Sequence, residues 1–185
     1  NMLRLNLKKE LFKSNMTHIL RDTFLVYTDG ACRNNGKASA NSSIGIYFSN
    51  RNLHKIDNIS EVLKLSKHTN NIAELTAINK SLTLIKQNNI KLPVHLYTDS
   101  EYSLNVLTKW YPNWTEKQKQ TKKNISLIKE TYDLCMDINP KIHHIKAHTN
   151  LEDEHSLGNA IADQLANDAL DKFENENIGI LKYFQ

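Results

Sequence analysis

The chain has 185 residues, 39% of them hydrophobic and 24% charged, which suits one domain with its own core and is too few for two of ordinary size. No apolar run approaches the roughly 18 residues that a membrane-spanning helix needs, so a membrane protein is excluded. The net charge of +4, from 24 Lys and Arg against 20 Asp and Glu, admits a polyanionic partner without identifying one. Cys32 and Cys135, the only cysteines, cannot staple a scaffold or fill a four-thiolate zinc site. Both read as free thiols of an intracellular, reducing compartment, cytoplasm or nucleus, with an organelle as the other destination if the start of the chain is a presequence.

Asn1 before Met2 reads as a tag remnant. The segment from Leu3 to Lys13 is too broken by charge for a secretory signal, so residues 1–22 are expected to be an N-terminal extension whose leader packs on the domain. The folded domain is expected over 23–172, with a frayed tail over 173–185. Phe24 to Asp29, β-branched and aromatic, predicts a strand that stops at Gly30. Residues 44–48 and 53–59 predict two more strands around a turn at 49–52. Leu75, Ile78, Leu82 and Ile85 recur at helical spacing over 70–87. Pro93 opens a strand ending at Asp99, and Ser100 is placed to cap a helix over 101–110. A polar stretch over 112–123 leads into a helix bearing Ile125, Ile128 and Leu134, closed by Pro140. A strand over 142–147, a polar loop over 148–155 and a helix capped by Ser156 complete the order β-β-β-α-β-α-α-β-α. That order predicts an α/β fold: one five-stranded mixed sheet flanked by helices on both faces.

Two strands finish in the same tripeptide, Tyr27-Thr-Asp29 and Tyr97-Thr-Asp99. If they are parallel neighbours, both carboxylates leave the same sheet edge, where ligand sites of such sheets lie. An Asp after a strand is also an ordinary turn former, but the duplication favours a shared site. Carboxylates pressed together repel and call for a cation between them. Glu74 and Asp163, in the first turns of two helices and beside their apolar stripes, are placed to join them. Oxygen donors without thiolates suit hard Mg²⁺ or Mn²⁺.

The segments around Asp29-Gly-Ala-Cys-Arg-Asn-Asn35-Gly36, Thr69-Asn-Asn-Ile-Ala-Glu74, Tyr-Thr-Asp99-Ser-Glu-Tyr and Gly158-Asn-Ala-Ile-Ala-Asp163 come in the order of type 1 ribonuclease H, which the chain resembles over about residues 23–170. The resemblance implies the ribonuclease H fold and endonucleolytic cleavage of the RNA strand of an RNA/DNA hybrid. It implies that Asp29, Glu74, Asp99 and Asp163 hold two Mg²⁺ ions, with Mn²⁺ as a substitute. In-line attack by water then leaves a 5′-phosphate and a 3′-hydroxyl. A loop histidine that moves protons or assists product release is also implied. His148 directly follows Ile-Lys-Ala and is favoured, while His155 lies nearer the helix and is the alternative. Zinc held by His143, His144 and His148 is disfavoured, because adjacent strand residues face opposite ways.

The resemblance further assigns substrate contacts. Asn35, Asn70 and Asn71 match positions beside the scissile site, where amides suit a 2′-hydroxyl that both donates and accepts. Lys67, Thr69 and Asn124 match a pocket for a phosphate of the DNA strand, with Lys67 in place of a commoner arginine and therefore a point charge in place of a fork. Trp110 and Trp114, with Lys117, Lys119, Lys122 and Lys123, resemble a short form of the basic extension that holds that strand. The expected partner is the hybrid, bound by a monomer without a membrane. Rival readings are a junction resolvase or integrase, an aspartyl-phosphate phosphatase, against which Tyr27 stands where an Asp is needed, and a binding module that has lost catalysis.

Overall fold

The computed structural model describes residues 22–49, 55–146 and 153–183, with side chains as far as residue 177. The N-terminal leader through residue 21 and the loop histidine His148 therefore lie outside the described residues. The sheet has five strands: β1 (Phe24–Arg33), β2 (Asn41–Phe48), β3 (Ile59–Val62), β4 (Val94–Thr98) and β5 (Lys141–His144). Their order is β3-β2-β1-β4-β5. The pairs β1–β2 and β2–β3 are antiparallel, and the pairs β1–β4 and β4–β5 are parallel. The first seven residues of β1 are all buried, as expected of a central strand covered on both faces.

Helix α1 (Asn70–Gln87) begins where Thr69 Oγ1 accepts a hydrogen bond from the Ile72 N–H. It turns Ala73, Leu75, Ala77, Ile78, Leu82 and Ile85 into the core. On its face of the sheet Phe24, Val26, Ile44, Ile46 and Leu96 meet it, together with Ile128 from helix α4 (Ile125–Ile138). The opposite face carries Leu25, Tyr27 and Tyr97, covered by Ala162 of helix α5 (Glu154–Tyr183). Alternation along β1 and β4 thus divides two cores, and the expected mixed sheet with helices on both faces is what forms.

Several local expectations need correction. The first strand does not stop at Gly30 but runs on to Arg33, paired with β2 as far as Asn41. Of the strand expected over 53–59, residues 53 and 54 lie outside the described residues, and the described strand is Ile59–Val62, with Asn58 Oδ1 taking the Phe48 N–H where the ladder ends. The helix expected over 101–110 is α-helical only in α2 (Glu101–Asn105). It then widens into a π-turn (Val106–Trp110) and tightens into a 3₁₀ turn (Tyr111–Asn113), since Pro112 has no N–H to continue an α ladder. A short helix α3 (Glu116–Lys119), closed by a capping box between Thr115 and Gln118, interrupts the polar stretch that follows. Helix α5 is capped by Asp153, whose Oδ1 accepts the His155 and Ser156 N–H groups, so Ser156 sits inside the first turn. The helix also continues through the expected frayed tail to Tyr183. Arg33, which binds both Asp171 and Glu174, fastens it at that level to the end of β1.

Helix α5 runs close to the sheet backbone. A Cβ on Gly45 would lie 1.9 Å from the Ala162 carbonyl oxygen, so only glycine fits there. Ser43 and Ser60 donate to the Ala166 and Leu165 carbonyls at 2.6 and 2.7 Å. Among the described residues no helix is long and apolar enough to cross a membrane, and Cys32 and Cys135 are both free thiols.

Candidate active site

The parallel register pairs Tyr27 with Tyr97 and Thr28 with Thr98, so the next residues, Asp29 and Asp99, leave neighbouring strands side by side. Glu74 joins them from the second turn of α1. It can do so because residue 30 is glycine: a Cβ at Gly30 would lie 2.3 Å from the Glu74 backbone nitrogen. One carboxylate oxygen from each of Asp29, Glu74 and Asp99 lies within 4.8 Å of the others.

These acids are packed close together. Asp29 is 6% exposed. Burial, then the charges of Asp99 and Asp163, push its carboxyl up to about 7 against one opposing hydrogen bond from Gly30. Burial drives Glu74 well above the usual carboxylate range, with Asp29 and Asp99 adding to it. Glu74 Oε2 is buried and has no hydrogen-bond partner among the described residues. An orphaned buried carboxylate oxygen facing two further carboxylates has the chemistry of a hard divalent-cation site.

The fourth expected acid, Asp163, stands outside the 4.8 Å triad. Its charge still raises Asp29 and Glu74, and its Oδ1 accepts from Asn167 Nδ2 at 3.0 Å. The structure therefore brings three acids into contact and keeps the fourth at the rim. Of the histidines, His155 is hydrogen-bonded through Nδ1 to the Tyr27 hydroxyl at 3.0 Å. His143 stacks on Tyr97 at 4.6 Å, while His144 Nε2 approaches the Asp99 carbonyl oxygen at 3.0 Å, which agrees with neighbouring strand residues facing opposite ways.

Asn159 had no role assigned by the sequence reading. It is 4% exposed, and its Nδ2 is 3.4 Å from Asp99 Oδ2. Its Oδ1 is buried without a partner among the described residues. The signal was available: Asn159 precedes Asp163 by four residues, one helical turn, and so shares its face.

Asn35, Lys67, Thr69, Asn70, Asn71, Trp110, Trp114 and Asn124, expected to contact substrate, all line one groove of about 810 Å³. Tyr102, not anticipated, lines it too and meets Trp110 edge-on at 6.0 Å. Trp110 is 42% exposed, an unusual display of a large aromatic surface. Asn124 sits at the N-cap of α4 in a left-handed conformation (φ 60°), which asparagine tolerates better than most residues. Of the four expected lysines, Lys122 and Lys123 reach the groove. Lys122 lies over the Trp114 ring at 4.8 Å. Lys119 is instead engaged by Glu116 and the Tyr111 ring.

A mixed sheet with acids where the parallel β1–β4 ladder ends, beside a groove of amides, lysines and exposed aromatics, defines a nuclease, a hydrolase of phosphodiesters. The family model described as RNase H matches residues 21–171. The chain is 34% identical over 166 residues to the Ribonuclease H of Schizosaccharomyces pombe, covering 85% of this chain and 58% of that protein. It is 33% identical to the Ribonuclease H of Clostridium botulinum, covering 80% of this chain and 96% of that one. Among solved structures, the PFV RNase H domain superposes with a TM-score of 0.56 at 28% identity, covering 79% of this chain and 93% of that domain. The foamy viral protease-reverse transcriptase in complex with an RNA/DNA hybrid gives a TM-score of 0.61 at 27% identity, covering 82% of this chain and 20% of that one. The chain belongs to the ribonuclease H family.

Proposed function

We propose that this ribonuclease H hydrolyses the RNA strand of an RNA/DNA hybrid endonucleolytically, using two divalent cations, with Mg²⁺ preferred and Mn²⁺ as a substitute, and leaving 5′-phosphate and 3′-hydroxyl ends. The observation that carries the reading is the convergence of Asp29, Glu74 and Asp99, with Asp29 buried and raised to about 7 by that burial and by the charges of Asp99 and Asp163. The solved complex of the similar foamy viral protein with a hybrid supports the substrate class.

Bound divalent cations supply an activated water and neutralise charge on the leaving oxygen. The chain's own residues do the rest. Asp29, Glu74 and Asp99 would hold the cations, and Asp163 extends the acidic surface from α5. Asn159 orients the Asp99 carboxylate through its amide. Asn35, Asn70 and Asn71 offer amide donors and acceptors to the 2′-hydroxyls that distinguish RNA from DNA. Lys67, Thr69 and Asn124 hold a phosphate of the DNA strand, and Trp110 and Trp114 present faces on which that strand can stack. His148 serves as the loop histidine in proton transfer or product release, and the enzyme acts as a monomer.

The test is cleavage of an end-labelled hybrid in Mg²⁺, beside single-stranded RNA, duplex RNA and branched DNA of matched sequence. Cleavage confined to the hybrid's RNA, with phosphatase-sensitive 5′ ends, is expected. Cleavage of branched DNA instead would favour a resolvase, and no cleavage in either Mg²⁺ or Mn²⁺ would leave only a binding module.

A further inference from the structure

We infer that His155 is a positioning residue: its imidazole latches the first turn of α5 to the sheet and so sets Asn159 and Asp163 against the acid triad, instead of exchanging protons with substrate. The inference deepens the proposed function and rests on it. Tyr27 and Tyr97 each precede a site acid by two residues on paired central strands. Their rings stack at 5.0 Å with an 18° interplanar angle. The His155 ring continues that stack on Tyr97 at 4.3 Å and 22°, and its Nδ1 lies 3.0 Å from the Tyr27 hydroxyl. A hydroxyl can donate to Nδ1 or accept from it; in the inferred latch Tyr27 donates, the direction that leaves the imidazole proton on Nε2, whereas the reverse direction needs it on Nδ1.

The same tyrosine seats the next turn of the helix. Gly158 rests directly on the Tyr27 ring, where a Cβ would lie 2.5 Å from Cε1 and from Cζ. One residue later Asn159 reaches Asp99, and one turn beyond that lies Asp163. Asp153 holds the start of the helix through the His155 and Ser156 N–H groups. The first two turns are therefore pinned by the Asp153 cap, by the Tyr27–His155 hydrogen bond and by the Gly158–Tyr27 contact, and two of these pins use a ring that shares a strand with Asp29. An imidazole whose Nδ1 is taken by a buried hydroxyl and whose face is taken by a tyrosine is built to hold geometry.

The experiment compares His155→Phe, which keeps an aromatic stack and loses the acceptor, with His155→Asn, whose amide oxygen replaces Nδ1, and with Tyr27→Phe. Losing a support behind a metal-site residue lowers activity by about tenfold or more. That loss is expected in kcat for His155→Phe and for Tyr27→Phe, with KM for the hybrid held within about twofold. The double variant should lose no more than either single one, as for two partners in one interaction. His155→Asn should recover most of the lost kcat, and every variant should keep the wild-type shape of the pH–rate profile. Nitrogen NMR of the wild-type protein, which depends on no variant folding, should find the His155 proton on Nε2. A proton on Nδ1, additive losses, an Asn variant as impaired as the Phe variant, or loss of one limb of the pH profile in His155→Asn would each overturn the inference. Failure of the wild-type protein to cleave a hybrid would instead sink the proposed function, leaving the NMR result to judge the latch on its own.

Discussion

Two clusters sit two residues apart on the same pair of strands, and they are built on opposite terms. Where the parallel β1–β4 ladder ends, Asp29 and Asp99 meet Glu74, whose Oε2 has no partner among the described residues. One pleat earlier, Tyr27 and Tyr97 carry His155 and His143 in a continuous stack with ring spacings of 4.3–5.0 Å. The stack is held by its aromatic faces and by the Tyr27–His155 hydrogen bond, while His143 Nε2 is buried without a hydrogen-bond partner among the described residues. The acids are held against their mutual repulsion by the strands and helix that deliver them. The comparison separates two kinds of contact: rings that hold one another by their faces, and carboxylates that repel and are held together by the elements that deliver them.

The largest expected effect comes from breaking the acid side of this contrast. Glu74→Gln keeps the volume and removes a ligand charge. With several kcal/mol of charge stabilisation at stake, steady-state cleavage should fall by about a thousandfold or more, while the metal-free protein should melt higher because a repulsive buried carboxylate is gone. Glu74→Gln that cleaves normally would remove it from the site.

Next in size is pH, where the two clusters act with opposite sign. Asp29 is raised from 3.8 to about 7 when folded, and Glu74 is raised as well. For a raised acid the stability is fully present below the unfolded value and is lost as pH rises through the folded one. Without divalent metal the protein should therefore lose stability between about pH 4 and pH 8, by on the order of 4 kcal/mol for Asp29 at about 1.4 kcal/mol per pH unit. Saturating Mg²⁺ should abolish that loss. His95 and His143 are lowered by burial, by Lys141 and by the neighbouring imidazoles, His155 included. Their contribution is present above the ordinary histidine value and is lost as pH falls below about 6.5. Thermal melts of the wild type and His143→Phe should thus diverge only on the acid side. Divergence above pH 7 would show that the two clusters are not separable.

A smaller effect is expected at Asn159. Asn159→Ala leaves Asp99 without its amide donor, and the Mg²⁺ midpoint for cleavage should rise about tenfold, as when a group supporting a metal ligand is removed, with hybrid KM unchanged. Smallest is Lys122→Ala at the groove. It should leave kcat intact and lower the magnitude of the salt-dependence slope of hybrid binding by about 0.7–0.9, one phosphate contact. An unchanged slope would place Lys122 with the Trp114 ring alone.

Much of the site was legible in the sequence because it follows from short-range rules. The repeated Tyr-Thr-Asp needs only strand alternation and parallel pairing to bring Asp29 beside Asp99, and the register confirms that pairing. The groove residues gather partly through local chemistry: Thr69 caps α1 with its side chain, and Asn124 takes the left-handed conformation at the start of α4 that asparagine tolerates. What escaped depends on contacts across the fold. Nothing near residue 58 says that its side chain will end a ladder at Phe48, and Asp153 and Ser156 are both plausible caps until the backbone chooses. The triad's exclusion of Asp163 is a tertiary fact of the same kind. So is the extension of α5 past residue 172, where Arg33 of β1 meets Asp171 and Glu174.

The central claim is that the buried acids hold the divalent cations with which this ribonuclease H cuts RNA in a hybrid. A single Mg²⁺ titration tests it most directly, reading melting temperature and hybrid cleavage together in the wild type and in Asp29→Asn. The wild type should show both the rise in melting temperature and the onset of cleavage, with neither in Asp29→Asn. Cleavage in excess chelator, or wild-type cleavage by Asp29→Asn at saturating Mg²⁺, would contradict it.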